Sequence, residues 1–258
     1  MIRTQSRRPP AGRARLYRMR AQQALAAIPA GSISVLLTDP PYTSVNRRGG
    51  SGSHLQHWFA GRLSWPEIGR LLALARRKLR PDGLAFVMVN GEGLHDALGA
   101  LQRAGFARTR TITWDRTYPG LGGGPRHQTE FILVGLLPGS RTLTGVDLVS
   151  VPAVGPGTSG RYPTQKPDAL GRVLARMANI GPSDVVLDPF VGSGALLVGA
   201  RERGATVLGC DIAPLAIRQA TIRLGAAGTT KRAARSSSPR AQTAQRRPAP
   251  KRQPRRGV

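Results

Sequence analysis

Cysteine and long apolar runs are both scarce in this chain of 258 residues. Its single cysteine, Cys210, argues against a disulfide framework and a cysteine-based metal cluster. No run of about 18 apolar residues is present, so the sequence predicts no membrane-spanning helix. The arginines near the amino terminus are not followed by an apolar segment, which argues against a secretory signal and favours the cytoplasm. Four histidines without cysteine partners predict no metal site: His54, His57, His95 and His127.

Acidic residues are also few, at 13 against 39 lysines and arginines, and the net charge is +26. The basic residues concentrate at the two ends, because residues 1–20 hold seven arginines and residues 226–258 hold ten lysines or arginines, with no acid in either. Such an excess favours a polyanionic partner, although a genome biased toward arginine would give the same composition. We therefore expect a basic flexible arm over 1–13, one folded domain over 14–225 and a disordered tail over 226–258.

Short apolar strands alternate with amphipathic helices through the expected domain. Strands are predicted over 14–17, 33–38, 84–89, 108–114, 129–136, 185–187 and 206–208. Helices are predicted over 22–27, from 65 to a stop at Pro81-Asp82-Gly83, around 94–101, and over 168–178, 195–203 and 214–224. Residues 137–163 are expected to be loop. The alternation predicts an α/β fold with a doubly wound, mostly parallel sheet.

The second of these strands stops at an acid, two prolines and an aromatic ring: Asp39, Pro40, Pro41 and Tyr42. Proline lacks an N–H and cannot continue a central strand, so the four residues lie just beyond the strand's carboxyl end. Ligands of open α/β sheets bind at that edge. A carboxylate, free proline carbonyl groups and a flat ring suit a planar group bearing an NH₂. A Pro-Pro turn with a chance acid is the alternative explanation.

Three further motifs follow downstream. Thr164-Gln165-Lys166-Pro167 precedes a helix, Asp188-Pro189-Phe190-Val191-Gly192-Ser193-Gly194 joins a strand to a helix, and Asp211-Ile212 ends the next strand. The glycines of the second motif allow positive φ and close approach of the backbone to a ligand. Their Gly-x-Gly spacing lacks the third glycine of the dinucleotide-binding fingerprint.

Together, the four motifs resemble the β class of amino-methyltransferases that use S-adenosylmethionine, over roughly residues 14–225. The resemblance implies a Rossmann-like methyltransferase sheet in which the Asp-Pro-Pro-Tyr motif precedes the cofactor motif, a circularly permuted order. It also implies a cofactor pocket lined by Asp188, Phe190, Gly192, Gly194, Asp211 and Ile212. Asp211 would accept hydrogen bonds from the ribose, although an acid that begins the next helix is the alternative.

Two other positions bear on the cofactor. The resemblance implies that Lys166 faces the carboxylate of S-adenosylmethionine, whereas a lysine before a proline is more often only a surface charge. Asp39, Pro40, Pro41 and Tyr42 are called the clamp motif below. Members of the family often carry an acid near the adenine about twenty residues before this motif, and Arg20 stands there in this chain. That departure concerns how the adenine is held rather than the reaction.

The resemblance implies methyl transfer to an exocyclic amine. Asp39 and the carbonyl of Pro40 would accept the two amine N–H bonds, and Tyr42 would stack on a base flipped out of double-stranded DNA. An aspartate at the first clamp position resembles the enzymes that methylate adenine at N6. Methylation of cytosine at N4, an RNA substrate and an inactive nucleic-acid-binding protein of the same fold are the alternatives. Methylation of cytosine at C5 needs a cysteine nucleophile, and Cys210 is expected to be buried packing.

Two glycine-rich basic segments follow strands and are candidates for contact with the DNA backbone. Arg47 and Arg48 lie in the segment 43–63, and Arg126 and His127 lie in the connection 115–128. A floppy insertion and a hairpin connector are the respective alternatives. A homodimer and a cognate restriction endonuclease stay open as further partners.

Overall fold

The computed structural model describes residues 11–42, 62–120, 125–154 and 165–225. Most of the expected basic arm, the expected tail 226–258 and the segment with Arg47 and Arg48 lie outside these ranges, as does Thr164. The description below concerns the remaining residues.

Eight strands form one sheet in the order β1-β8-β7-β2-β3-β5-β4-β6. The strands are β1 Ala14–Arg18, β2 Ile33–Thr38, β3 Leu79–Val89, β4 Arg108–Asp115, β5 Thr129–Leu136, β6 Leu148–Ser150, β7 Val185–Asp188 and β8 Thr206–Asp211. All neighbouring pairs are parallel except β3 with β5 and β5 with β4. The expected mostly parallel sheet is confirmed.

Helices cover both faces of the sheet. They are α1 Ala21–Ala27, α2 Trp65–Arg76, α3 Leu94–Arg103, α4 Asp168–Met177, α5 Val198–Glu202 and α6 Pro214–Leu224. One apolar cluster joins α1, α2 and α3 to the sheet, and a second joins α4, α5 and α6 to the other face. None of these helices has the length and apolarity needed to span a bilayer.

The central strand β2 shows why the sheet needs two helical layers. Val35 and Leu37 belong to the core on the α4–α6 side, whereas Ile33 and Leu36 belong to the core on the α1–α3 side. Every residue of β2 is buried. A strand covered on both faces has no solvent-facing side, so its sequence is a nearly continuous apolar run.

The boundary between α2 and β3 differs from the prediction. Pro81-Asp82-Gly83 does not end the helix, because α2 ends at Arg76 and β3 already begins at Leu79. The pairing with β2 shifts here, since Ile33 pairs with Leu79 and Val35 with Leu84. The intervening residues therefore bulge out of the ladder, and a proline is tolerated there because a bulge needs no ladder N–H.

Two shorter elements also differ from the expected boundaries. Residues 137–163 were expected to be loop, but β6 lies within them and pairs in parallel with β4 at the sheet edge. Three residues carry too short a pattern to predict a strand. The expected helix 195–203 divides into a 3₁₀ turn, Ala195–Leu197, and the short α5.

The sheet order places the two expected sites side by side. β2, which ends at the clamp motif, pairs in parallel with β7, which ends at the glycine-containing turn, through Val35–Val186 and Leu36–Leu187. β8 follows on the other side of β7. Because parallel strands share an edge for their carboxyl ends, all three motifs meet at one edge although β2 comes first in the chain.

Candidate active site

A buried hydrogen bond joins the end of β2 to the turn 188–194, called the cofactor turn after its predicted role. The Thr38 hydroxyl donates to Oδ1 of Asp188 over 2.7 Å, although the two residues are 150 positions apart. Thr38 is 1 % exposed and Asp188 is 2 % exposed. Just beyond them, Pro40 and Phe190 line the same small apolar pocket. The structure thus brings the first and third motifs together, as their positions at strand ends predicted.

The clamp is held by its own backbone and by a neighbouring ring. The N–H of Tyr42 donates to the carbonyl of Pro40 over 2.8 Å, and the N–H of Leu63 donates to the carbonyl of Pro41 over 2.8 Å. The Tyr42 ring stacks on Trp65, with ring centroids 5.5 Å apart and planes 17° apart. A carbonyl oxygen has two lone pairs, so Pro40 keeps one for another donor.

Lys166 lies against the acid of the clamp. Its Nζ is 2.7 Å from Oδ2 of Asp39 and 3.4 Å from Oε2 of Glu130. Burial alone would lower the pKa of Lys166, but the two carboxylates outweigh it and raise that pKa, so the side chain is an ammonium. Burial raises the pKa of Asp39, and the ammonium opposes that rise. The family resemblance implied that Lys166 faces the cofactor's carboxylate, whereas the structure pairs the Lys166 ammonium with Asp39.

Glu130 is a residue of this site that the sequence analysis missed. It stands near the start of β5, which runs antiparallel to β3, so its position falls at the edge where β2 and β3 end. Oε1 of Glu130 lies 3.4 Å from the guanidinium of Arg116. An acid that begins an otherwise apolar strand at this edge was the available signal.

Asp188 is an internal acceptor at the start of the cofactor turn. Besides the Thr38 hydroxyl, the N–H of Phe190 donates to its Oδ1 over 2.9 Å. Burial raises the pKa of Asp188 to about 7, and the two donors only partly oppose the effect of burial. Both glycines of the turn have positive φ, 48° at Gly192 and 81° at Gly194. A Cβ at Gly194 would lie 3.1 Å from Ala220 on α6, so packing as well as backbone conformation disfavours a side chain there.

Asp211 ties the end of β8 to the same turn. Its Oδ2 accepts the N–H of Gly192 over 3.1 Å, and its Oδ1 accepts the N–H of Ala213 over 2.9 Å. Burial raises the pKa of Asp211, and these backbone donors oppose that rise. The N–H of Met19 donates to the carbonyl of Asp211, so the end of β1 and Arg20 beyond it lie beside this acid. Ile212 follows directly and is half-buried.

The other expected residues are distributed around this edge. Arg126 and His127 are exposed in the connection between β4 and β5, which opens at the edge where Asp39 lies. Cys210 is buried, and its thiol donates to the carbonyl of Pro189 over 3.3 Å, as expected for a packing residue. In the described part of the chain, no group of three or more His, Cys, Asp and Glu side chains could hold a metal ion.

Comparisons with known proteins found DNA methylases. Residues 140–221 match the N6_N4_Mtase family model, described as DNA methylase. The chain is 28 % identical over 211 residues to the type II methyltransferase M2.LlaDCHI of Lactococcus lactis subsp. cremoris, covering 70 % of this chain and 77 % of that one. It is 27 % identical over 230 residues to the type II methyltransferase M2.DpnII of Streptococcus pneumoniae, covering 77 % and 85 %.

A solved structure extends the likeness to the fold. The complex of M1.HpyAVI with S-adenosylmethionine superposes with a TM-score of 0.63 at 18 % identity, covering 82 % of this chain and 98 % of that chain. The family match, these relatives and the permuted arrangement of motifs agree. Together with the motifs, these matches support a DNA amino-methyltransferase that uses S-adenosylmethionine, of the N6-adenine and N4-cytosine type.

Proposed function

We propose that this methylase modifies adenine at N6 in double-stranded DNA, with Asp39 as the acid that binds the target amine. The observation that carries the proposal is the hydrogen bond from Thr38 to Asp188, because it fixes the clamp next to the cofactor turn. Asp39 follows Thr38 directly, so its carboxylate stands at the junction of the two strand ends.

The residues at the ends of β7 and β8 fit S-adenosylmethionine. Gly192 and Gly194 turn the chain with positive φ just before a helical segment, which leaves backbone N–H groups at the start of that segment. Asp211 follows on the neighbouring strand and would accept hydrogen bonds from the ribose, while Ile212 and Phe190 would offer apolar contacts. The Asp188 carboxyl group would lie near the ammonium of the methionine part. When bound, S-adenosylmethionine supplies a methyl group on a positively charged sulfur.

The clamp prepares the nucleophile. Asp39 and the remaining lone pair of the Pro40 carbonyl accept the two N–H groups of the amine, which localises the nitrogen lone pair that the base ring otherwise withdraws. The nitrogen would then bond to the methyl carbon with the cofactor's sulfur as the leaving group, and Asp39 would take one amine proton and pass it to water. Positioning and a fixed acceptor near the developing positive charge lower the barrier.

Tyr42 supplies the stacking surface for the flipped base. Trp65 covers one face of the ring, so the base stacks on the opposite face. Arg126 and His127 at the same edge would contact the DNA backbone. Arg47 and Arg48, outside the described residues, would do the same from the segment that follows Tyr42.

Adenine is favoured by Asp39 itself. By the family resemblance, an aspartate at the first clamp position is typical of adenine enzymes, whereas serine is more frequent in those that methylate cytosine. The protein is incubated with unmethylated duplex DNA and cofactor carrying a labelled methyl group, and the nucleosides are separated by mass spectrometry. N6-methyl-2′-deoxyadenosine is the expected product. N4-methylcytosine alone would overturn the choice of base, and methylated RNA without methylated DNA would overturn the proposed substrate.

Asp39→Asn tests the clamp. The amide keeps the size of the side chain but loses the charge, so we expect the single-turnover rate to fall at least about a hundredfold. Cofactor affinity, measured by calorimetry, should stay close to that of the unmodified protein. An unchanged rate would remove Asp39 from the reaction.

A further inference from the structure

We propose that Glu130 is a positioning residue that takes the Lys166 ammonium from Asp39 when the target amine binds. The inference rests on the proposed function, because it assumes that Asp39 receives the amine. Three neighbouring charges have unequal contacts. Lys166 is hydrogen-bonded to Asp39 over 2.7 Å, whereas Glu130, 3.4 Å away, forms only an ion pair with it.

Glu130 has an unused acceptor directed at the lysine. Its Oε2 is buried and accepts no hydrogen bond. Buried carboxylate oxygens rarely remain unsatisfied, because the loss of hydration is then uncompensated. Arg116 faces the other oxygen, with its guanidinium 3.4 Å away. The Lys166 ammonium, 3.4 Å from this oxygen, is a donor at the edge of hydrogen-bond reach.

The chemistry of the clamp supplies a reason for the transfer. The amine nitrogen becomes positively charged as it accepts the methyl group. An ammonium held on Asp39 would repel that charge and would weaken the acceptor to which the amine is bound. A shift of the Lys166 Nζ by about 0.5 Å would bring it to hydrogen-bond distance from Glu130. Asp39 would then present its full charge to the amine.

Because the three side chains are largely buried, a small movement of the ammonium changes the electrostatic interactions within the cluster strongly. The Lys166 side chain is 12 % exposed and that of Glu130 is 17 % exposed, so water screens their interaction poorly. The lysine stays paired before and after the transfer, because one carboxylate replaces the other. Neither arrangement leaves an isolated buried charge, which would be costly.

Glu130→Gln is the direct test, measured by single-turnover methyl transfer to duplex DNA with saturating cofactor. Without the second carboxylate the ammonium stays on Asp39, so we expect the rate to fall about ten- to a hundredfold. The dissociation constant of the cofactor should change less than about twofold. Glu202→Gln is the matched control, since Glu202 at the end of α5 forms a half-exposed ion pair with Arg172 of α4, and it should retain the unmodified rate.

Two further readouts separate this role from a structural one. In the Lys166→Met background, Glu130→Gln should have no additional effect on the rate, because Glu130 acts only through the lysine. In Glu130→Gln the pKa of Asp39 should fall, because Asp39 keeps the ammonium and loses a neighbouring negative charge. The acid limb of the pH–rate profile should therefore also move to lower pH. Additive effects together with an unmoved limb would overturn the inference.

The outcomes also distinguish the inference from the proposed function. If the unmodified protein methylates no DNA, the proposed function fails. If it is active and Glu130→Gln retains its rate, only the inference fails. Should Glu130→Gln not fold, Glu130→Asp carries the test, because its carboxylate is withdrawn from the lysine by one methylene. A slower reaction supports the inference, and an unmodified rate overturns it.

Discussion

Replacement of Asp188 by asparagine should change how the stability of the protein depends on pH. Asparagine keeps an oxygen that can accept the Thr38 hydroxyl and the Phe190 N–H, so the local hydrogen bonds persist. Only the ionisable proton is lost. The folded-state pKa of Asp188, about 7, lies above the ordinary value of 3.8 because the carboxyl group is buried.

The sign and size of the effect follow from this difference. Between the two pKa values the folded protein holds a proton on Asp188 that the unfolded chain has released. The unfolding free energy therefore falls as the pH rises from about 4 to about 7. A shift of about three pKa units corresponds to about 4 kcal/mol over that window. Asp188→Asn should remove this contribution, so the variant gains stability relative to the unmodified protein as the pH rises.

Urea unfolding at several pH values from 4.5 to 8.5, about one unit apart, measures the difference directly. Asp39 and Asp211 titrate in both proteins, so their contributions largely cancel in the comparison. Asp96→Asn is a suitable control because that side chain is exposed on α3, and its unfolding free energy should follow the unmodified protein at every pH. A difference between Asp188→Asn and the unmodified protein that does not vary with pH would refute the reasoning.

Three further predictions concern the cofactor site, the opposite edge of the sheet and the tail. Asp211→Ala should weaken cofactor binding by about 1–2 kcal/mol in calorimetry, since it removes a charge-assisted acceptor, and unchanged affinity would take it out of the ribose site. Arg141→Met should lower the unfolding free energy by about 2 kcal/mol in urea, because buried Asp184 loses two hydrogen bonds from Arg141 and keeps only the ion pair with Arg80, 3.6 Å away, among the described cations, and an unaffected midpoint would contradict this. Deletion of 226–258 should weaken DNA binding and flatten its dependence on salt, and an equal slope would mean that the tail does not touch phosphate.

Local sequence patterns predicted most of the strands and helices. The apolar run of β2, the boundaries of β5 and the helix that begins at Pro214 followed from periodicity, turn residues and proline position. Those signals lie within a few residues of each other along the chain. The bulge in β3 was missed because Pro81 and Gly83 are helix-stopping residues in almost any setting. Only the pairing with β2 shows that the strand has already begun there.

Candidate site residues that lie within a recognisable motif could be predicted from the sequence. Contacts between residues of different motifs could not. Asp39, Asp188 and Asp211 were found because each ends a strand. The partners of Lys166 were not, because it meets Asp39 across 127 positions and Glu130 comes from a third strand. Such contacts depend on the lateral order of the strands, which no local pattern contains. The roles assigned to these residues stay predictions until the variants are measured.

The contact between Tyr42 and Leu63 has a consequence for how this enzyme could be altered. The two residues form a parallel bridge, so the chain leaves the catalytic edge and re-enters it at neighbouring points before α2 begins. An insertion whose ends meet in this way can change in length and composition at little cost to the framework that carries it. Because Tyr42 and Leu63 hold the two ends together, the stretch between them can be altered without rebuilding the clamp.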